Sequence, residues 1–228
     1  MILPVSNVGQ FGIASDLQPH EMPLNAWSGG QNVRFRDGYV EKFKGYSEVF
    51  VTPLWTPYWL LPAPFGSSFF WLYASLAKVG ATDMSTHADI TRLAGDYSAT
   101  ADISWTGDVL GGIPVITNGV DPPQMWNLPS LSTKLSNLTN WPANYTCRVI
   151  RTFKQFLIAL DIVKATSTRY PQMVKWSHPA DPQTVPVSWD ETDATKDAGE
   201  FNLSETGDFA IDAFSLRDIK VIYKERTT

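Results

Sequence analysis

Proline and glycine constrain this chain more than any other feature, because they are spread along its whole length. The 228 residues include 16 prolines and 15 glycines, and no single linker collects them. Proline inside a helix removes a hydrogen bond and costs about 3 kcal/mol. Apolar residues at the i, i+3, i+4, i+7 spacing of a helix are almost absent as well. The sequence therefore predicts a fold with few helices.

Short runs of aromatic and β-branched residues recur between these breakers, as is typical of β-sandwiches, barrels and propellers. We predict an all-β fold with a β-propeller-like body of short antiparallel strands, and a β-sandwich or simple meander is the alternative. The clearest predicted strands span 31–36, 39–43, 69–76, 101–105, 114–117, 148–153, 155–161, 173–177 and 219–223.

Two stretches of the chain resemble each other. Residues 88–97 have the sequence ADITRLAGDY, and residues 200–213 have EFNLSETGDFAIDA, so each places a Gly-Asp pair after an apolar residue. Self-similarity at a period of about 40 to 50 residues is typical of propeller blades. The alternative is two unrelated meanders within one β domain.

Charge and cysteine content exclude several classes of protein. The chain has 18 Lys and Arg against 23 Asp and Glu, which gives a net charge of -5. This charge argues against a protein that binds nucleic acid tightly by neutralising its phosphates. A single cysteine, Cys147, excludes a disulfide within the chain and a multi-cysteine metal site. This content fits folding in a reducing cytoplasm.

The most apolar window, residues 59–76, predicts a hairpin and not a membrane span. Pro62, Pro64 and Gly66 interrupt it, and in a lipid-exposed helix they would leave backbone groups without partners. The first residues also lack the basic start and apolar core of a secretory signal. We therefore expect no stable membrane insertion.

The sequence shows no motif for catalysis, cofactor binding or metal binding. Cys147 lies in an alternating strand pattern, which predicts a small core residue. His87, with Asp83 and Asp89 nearby, could form half of a metal site, but a solvated loop is the favoured interpretation. The acidic loop 190–197 lacks the glycine and closing glutamate of an EF-hand. We predict no enzyme, no cofactor and no metal, although carboxylate pairs of glycosidases leave no local motif.

A resemblance to a known family begins in the segment 25–46, NAWSGGQNVRFRDGYVEKFKGY. It resembles the opening of tail tubular, or nozzle, proteins of short-tailed bacteriophages, and the residues that carry the likeness are Asn32, Arg34, Asp37, Gly38 and Gly45. Asp37-Gly38 is a tight-turn signal and predicts a hairpin. In that hairpin we expect Val33 and Phe35 to lie opposite Val40 and Phe43.

The middle and the last third are similar to the same family. The middle pattern comprises Asp89, Ile90, Thr91, Gly95, Asp96, Tyr97, Trp105, Asn118, Gly119, Pro123 and Trp126. The later pattern comprises Phe153, Lys154, Phe156, Leu157, Val174, Trp176, Ser177, Trp189, Ile222, Tyr223 and Lys224. All of these are structural signatures, so the resemblance implies fold more directly than activity.

The resemblance implies a virion structural protein of the tail, made in the cytoplasm of the host bacterium. Several copies, six by resemblance, would form a homo-oligomeric ring below the head-to-tail adaptor protein and beside tail fibre or spike proteins. Double-stranded DNA would pass transiently through its lumen. Within the chain it implies an N-terminal segment and hairpin over 1–50 and a body over 51–228. Nozzle proteins are longer, so a compact relative, a fragment with an incomplete body and one half of a split protein all remain open.

Three aromatic residues, Trp55, Tyr58 and Trp59, are candidates for subunit or adaptor contact, with burial in the core as the alternative. An acidic lumen lined by Glu41 or loop 190–197 would let DNA slide, because it repels phosphates. A lumen lined by the basic residues of 34–44 would contradict this. Two rival functions remain: a carbohydrate-binding or depolymerising β-propeller, and a monomeric β-sandwich interaction module.

Overall fold

A computed structural model describes residues 4–100, 105–165 and 167–226, and in this part of the chain it contains sixteen strands and no helix. The all-β prediction is confirmed, with 40% of residues in strands. Consequently, no helix in the described ranges is long and apolar enough to cross a membrane. The chain divides into two compact units, Met1–Glu48 and Val49–Thr228.

The first unit is built around one hairpin, β1 (Val33–Arg36) and β2 (Tyr39–Lys42). Its turn residues Asp37 and Gly38 have φ angles of 51° and 80°, as a type I′ turn requires. The predicted turn and the pairing of Phe35 with Val40 are confirmed. The predicted pairing of Val33 with Phe43 is wrong: a two-residue turn fixes the register so that Val33 lies opposite Lys42.

The second unit contains three four-stranded antiparallel sheets, each a meander in chain order, followed by a two-stranded hairpin. Sheet 1 comprises β3 (Trp59–Phe65), β4 (Ser68–Ala74), β5 (Val79–Thr82) and β6 (His87–Asp89). Sheet 2 comprises β7 (Thr106–Leu110), β8 (Ile113–Thr117), β9 (Gln124–Met125) and β10 (Ser136–Asn137). Sheet 3 comprises β11 (Thr146–Phe153), β12 (Phe156–Lys164), β13 (Thr168–Trp176) and β14 (Gly199–Asn202). The last hairpin comprises β15 (Ala210–Leu216) and β16 (Ile219–Lys224).

The three sheets and the hairpin stack in chain order. The first strands of consecutive members contact one another, β3 with β7, β7 with β11 and β11 with β15. A four-stranded meander stacked on its neighbour in this way is the unit of a β-propeller. The described sheets nevertheless form no closed propeller or barrel.

Each interface in this stack is a separate apolar core. Between sheets 1 and 2, Leu72 and Phe70 pack with Ile116 and Trp126. The core between sheets 2 and 3 includes Val115, Met125, Cys147, Ile150 and Leu157. The core between sheet 3 and the last hairpin includes Val149, Leu160, Ala210 and Ala213. Sheets 2 and 3 are therefore buried on both faces, which explains the almost continuous apolar runs of β8 and β12.

The internal likeness predicted from sequence has a structural counterpart. The Gly-Asp pairs at 95–96 and 207–208 both lie between the last strand of one sheet, β6 or β14, and the first strand of the next, β7 or β15. The predicted hairpin in residues 59–76 is also confirmed, as β3 and β4 joined at Gly66. The strand predicted at 101–105 lies outside the described residues except for Trp105, which precedes β7.

Candidate functional site

The three candidate contact aromatics lie in different environments. Tyr58 is 64% exposed. Trp59 is half-buried and belongs to the core between sheets 1 and 2, because its side chain shares a face of β3 with Leu61. Trp55 lies 6.5 Å from the ring of Tyr73 on the opposite face of sheet 1. Tyr58 is therefore available for contact with another molecule, whereas Trp55 is half-buried. Trp59 stabilises the fold.

The face of sheet 1 that points away from sheet 2 carries an apolar groove of about 170 Å³. It is lined by Phe50, Pro53, Pro57, Leu60, Trp71, Tyr73, Thr82 and His87. Leu60 is 52% exposed, and Phe69, beside Trp71 on the same face, is 41% exposed. We call Leu60, Phe69, Trp71 and the groove the first-sheet patch. Exposed apolar surface of this kind is typical of interaction sites.

His87 lies in this groove, half-buried on β6, and not in the solvated loop that the sequence predicted. Its Nε2 lies 2.7 Å from the carbonyl oxygen of Val51, so Nε2 is the donor, and its Nδ1 is buried without a hydrogen-bond partner. Asp83 accepts hydrogen bonds from Thr86 and Ser85, which lower its pKa to about 2. No group of metal-ligating side chains occurs in the described part of the chain.

The family-like pair Asn118-Gly119 forms a polar turn at the end of β8. Asn118 Oδ1 accepts hydrogen bonds from two backbone amides of the turn, and its amide donates to Asp121 at 2.8 Å. Asp121 also accepts from Arg92, at 2.8 Å, and from the Ser98 amide. Burial alone would raise the pKa of Asp121, but these hydrogen bonds and the Arg92 charge hold it below its usual value. The motif therefore ties the turn to the segment that follows sheet 1.

The other family-like residues also have structural contacts. Asn32 accepts a hydrogen bond from the Phe43 amide at 2.6 Å, and Arg34 pairs with Glu41 at 2.8 Å. The indole of Trp176 donates to the Asp197 carbonyl and covers Gly199, where a Cβ would lie 2.4 Å from the ring. Gly45 is exposed and follows β2.

Polar contacts between neighbouring sheets were not predicted from the sequence. Arg151 on β11 donates two hydrogen bonds of 2.8 Å to Asp212 on β15 and one to the Gly107 carbonyl of β7. Asp108 on β7 accepts from the amide and hydroxyl of Thr152. These contacts fix the first strands relative to one another. No local motif could have revealed them, because Arg151 and Asp212 are 61 residues apart.

A buried lysine, Lys175 on β13, is the centre of a charged cluster. Its side chain is fully buried, and its ammonium lies 2.5 Å from Glu191 and 3.1 Å from Glu200. Glu200 also pairs with Lys164 at 2.5 Å. Burial alone would raise the pKa of Glu191, but the hydrogen bond and charge of Lys175 lower it. Part of the acidic loop 190–197 thus neutralises a buried cation.

A second pocket, of about 410 Å³, lies beside this cluster and bears on the sugar-binding alternative. Its lining includes Asn140, Tyr145, Trp189, Asp190 and Glu191. Trp189 is 1% exposed, and its ring contacts Trp141 at 4.6 Å, so it offers no ring face to a sugar. Trp105 and Trp126 are likewise buried, at 3% and 0% exposure. These three tryptophans are therefore core residues.

Cys147 is a core residue, as predicted. It lies on β11 with no exposed surface, and burial raises the pKa of its thiol to about 12. A thiol in this state is a poor nucleophile.

Comparison with known proteins identifies no family and no relative for this chain. A scan against protein-family models finds no match to this chain. A search of curated proteins finds no relative either.

Proposed function

We propose that this chain is a structural protein of a bacteriophage tail, forming a nozzle-like homo-oligomeric ring below the head-to-tail adaptor. In this role the ring retains the packaged genome and passes it during ejection. The observation that carries the proposal is the ordered stack of four-stranded meanders, in which the first strand of each sheet contacts the first strand of the next. The residues that carry the resemblance lie in the turns and at contacts between the sheets of this chain. The partners are further copies of the chain, the adaptor, and tail fibre or spike proteins.

The proposed role is mechanical and not enzymatic. A ring needs rigid subunits, and the buried sheets 2 and 3 with their Arg151 and Asp108 contacts supply that rigidity. The net charge of -5 fits a channel that lets DNA slide, because phosphates are repelled by a negative wall. The protein would be made in the host cytoplasm and act in the virion.

The test is the mass of the purified assembly, by light scattering or native mass spectrometry, with electron micrographs of the same sample. We expect a ring of several subunits with an axial hole. Closed rings form through heterologous interfaces whose rotation closes. A monomer at every concentration, including in the presence of its adaptor, would overturn the proposal.

The second candidate is a carbohydrate-binding or depolymerising β protein. The pocket beside Trp189 favours it, because Tyr145 and Asp190 place an aromatic ring and an exposed carboxylate in its lining. Its test is an oligosaccharide screen by calorimetry, with Asp190→Asn as the variant. Binding that this variant removes would favour the sugar function over the tail function.

A further inference from the structure

A small pocket on sheet 3, of about 220 Å³, brings together charged side chains from three adjacent strands. Arg148 comes from β11, Asp161 from β12 and Arg169 from β13, and Gly119 and Val163 complete the lining. Arg148 falls opposite Asp161, by the pairing of the residues on either side of it, and Arg169 lies opposite Val163. Residues opposite each other on neighbouring strands have closely spaced side chains. The register of the sheet therefore places the three charges together.

Asp161 holds the guanidinium of Arg169 in a fixed position at this pocket. Asp161 is 2% exposed, and its two oxygens accept hydrogen bonds of 2.8 and 2.6 Å from Arg169. The backbone of Asp161 has a φ angle of 54°, at the point where the β12–β13 register shifts. Residues other than glycine rarely adopt this conformation, and such irregularities commonly redirect a side chain near a functional site. The ring of Phe209, 4.9 Å away, also contacts the guanidinium of Arg169.

Arg148 supplies a second cation that has no anionic partner. Its side chain is exposed, and among the residues that the structure describes its guanidinium forms no hydrogen bond and no ion pair. Both oxygens of Asp161 are bound to Arg169. The lining of the pocket therefore holds two guanidiniums against one carboxylate, on a chain whose net charge is -5. This local excess of positive charge favours an anionic ligand.

We propose that this pocket binds a phosphate group, free or as an ester, between Arg148 and Arg169. A guanidinium presents its N–H groups in a planar fork that matches the oxygens of a phosphate. Arg169 uses Nε and Nη2 for Asp161, so its Nη1 remains free to donate to the ligand. A tetrahedral phosphate can accept from both guanidiniums at once, because its oxygens point in different directions. The site needs one copy of the chain only, so it does not depend on the proposed ring.

Two matched substitutions test the proposal. Arg148→Gln removes the free guanidinium, and Arg217→Gln is the control at an exposed arginine outside the pocket. Both side chains are exposed and each variant loses one positive charge, so both should fold and a general electrostatic effect would be equal in the two. Titration with inorganic phosphate in low-salt buffer is followed by the NMR shifts of the arginine side-chain N–H groups. We expect Arg148→Gln to bind phosphate about tenfold more weakly than the wild type or worse, and the control to bind it as the wild type does.

Two further probes identify the chemistry and the source of the ligand. Acetate tests for a carboxylate, and a short DNA duplex tests for the phosphodiesters of a nucleic-acid backbone. Binding of the duplex that is tighter than that of inorganic phosphate and needs Arg148 would assign the phosphate group to nucleic acid. Binding of inorganic phosphate alone would assign it to a free phosphate or a small ester.

Three results would overturn the proposal. The first is a wild-type protein that binds neither inorganic phosphate nor the duplex at millimolar concentration. The second is an equal loss of phosphate binding, or no loss, in Arg148→Gln and Arg217→Gln. The third is acetate binding as tight as phosphate binding.

Discussion

Removal of the Lys175 ammonium should destabilise the protein more than removal of any exposed lysine. In Lys175→Met the side-chain volume is nearly kept, but Glu191 and Glu200 lose their shared cation. Removing one partner of a buried ion pair costs about 3 to 5 kcal/mol. The Glu191 side chain is 34% exposed and Glu200 retains Lys164 as a partner, so we expect a cost at the lower end of this range. We expect a loss of about 3 kcal/mol at pH 7.

The loss should depend on pH with a defined sign. In the wild type the folded-state pKa of Glu191 is lowered, so its stabilisation is present above its unfolded pKa and disappears as the pH falls through the folded value. The unfolded value is about 4.3. In Lys175→Met the Glu191 carboxylate, which has lost its cation, destabilises the folded state only while it is ionised. The difference between variant and wild type should therefore be smaller at pH 4 than at pH 7, and it should fall further as the pH drops through the folded-state pKa of Glu191.

Urea denaturation followed by tryptophan fluorescence at pH 7 and pH 4 measures both effects. The matched control is Lys154→Met, because Lys154 pairs at 3.2 Å with Asp218 on the surface, where both side chains are more than half exposed. That variant should change the free energy of unfolding by less than about 1 kcal/mol. A Lys175→Met loss as small as the control's, or one equal at both pH values, would refute the argument that this cluster stabilises the fold through charge.

Three further predictions concern the cores and the contacts between sheets. Trp126→Ala removes a fully buried indole that packs on Phe70, and it should lower the free energy of unfolding by about 3 to 5 kcal/mol. Urea denaturation measures this change, and a loss under about 1 kcal/mol would contradict the place of Trp126 in the core. Arg151→Ala removes the ion-pair partner of Asp212 and should speed amide exchange in β15 and β16 about tenfold or more. Exchange in β5 is the control and should not change. An equal change in β5 and in the last hairpin would contradict the prediction. Cys147 should resist a thiol reagent at pH 8 in the native protein and react fully in urea, and rapid native labelling would show that the thiol is accessible.

The sequence by itself determined the features that depend on neighbouring residues. The scattered prolines and glycines predicted an all-β fold, and Asp37-Gly38 predicted a tight turn whose φ angles, 51° and 80°, the structure contains. Alternation around Cys147 predicted a core strand. Turn chemistry and a period of two residues act over a few positions, so a sequence carries them directly. The two-residue turn places Val33 opposite Lys42, so the predicted pairing of Val33 with Phe43 is one residue out of register.

Only the tertiary structure decided which distant residues meet. Lys175 resembles any strand lysine until the loop after β13 brings Glu191 to it, and nothing near Arg151 indicates Asp212. Trp59 and Leu60 are adjacent in sequence, yet one lies in a core and the other on an uncovered face. A strand's alternation separates its two faces, but the stacking of the sheets determines which face is buried. That choice depends on long-range contacts.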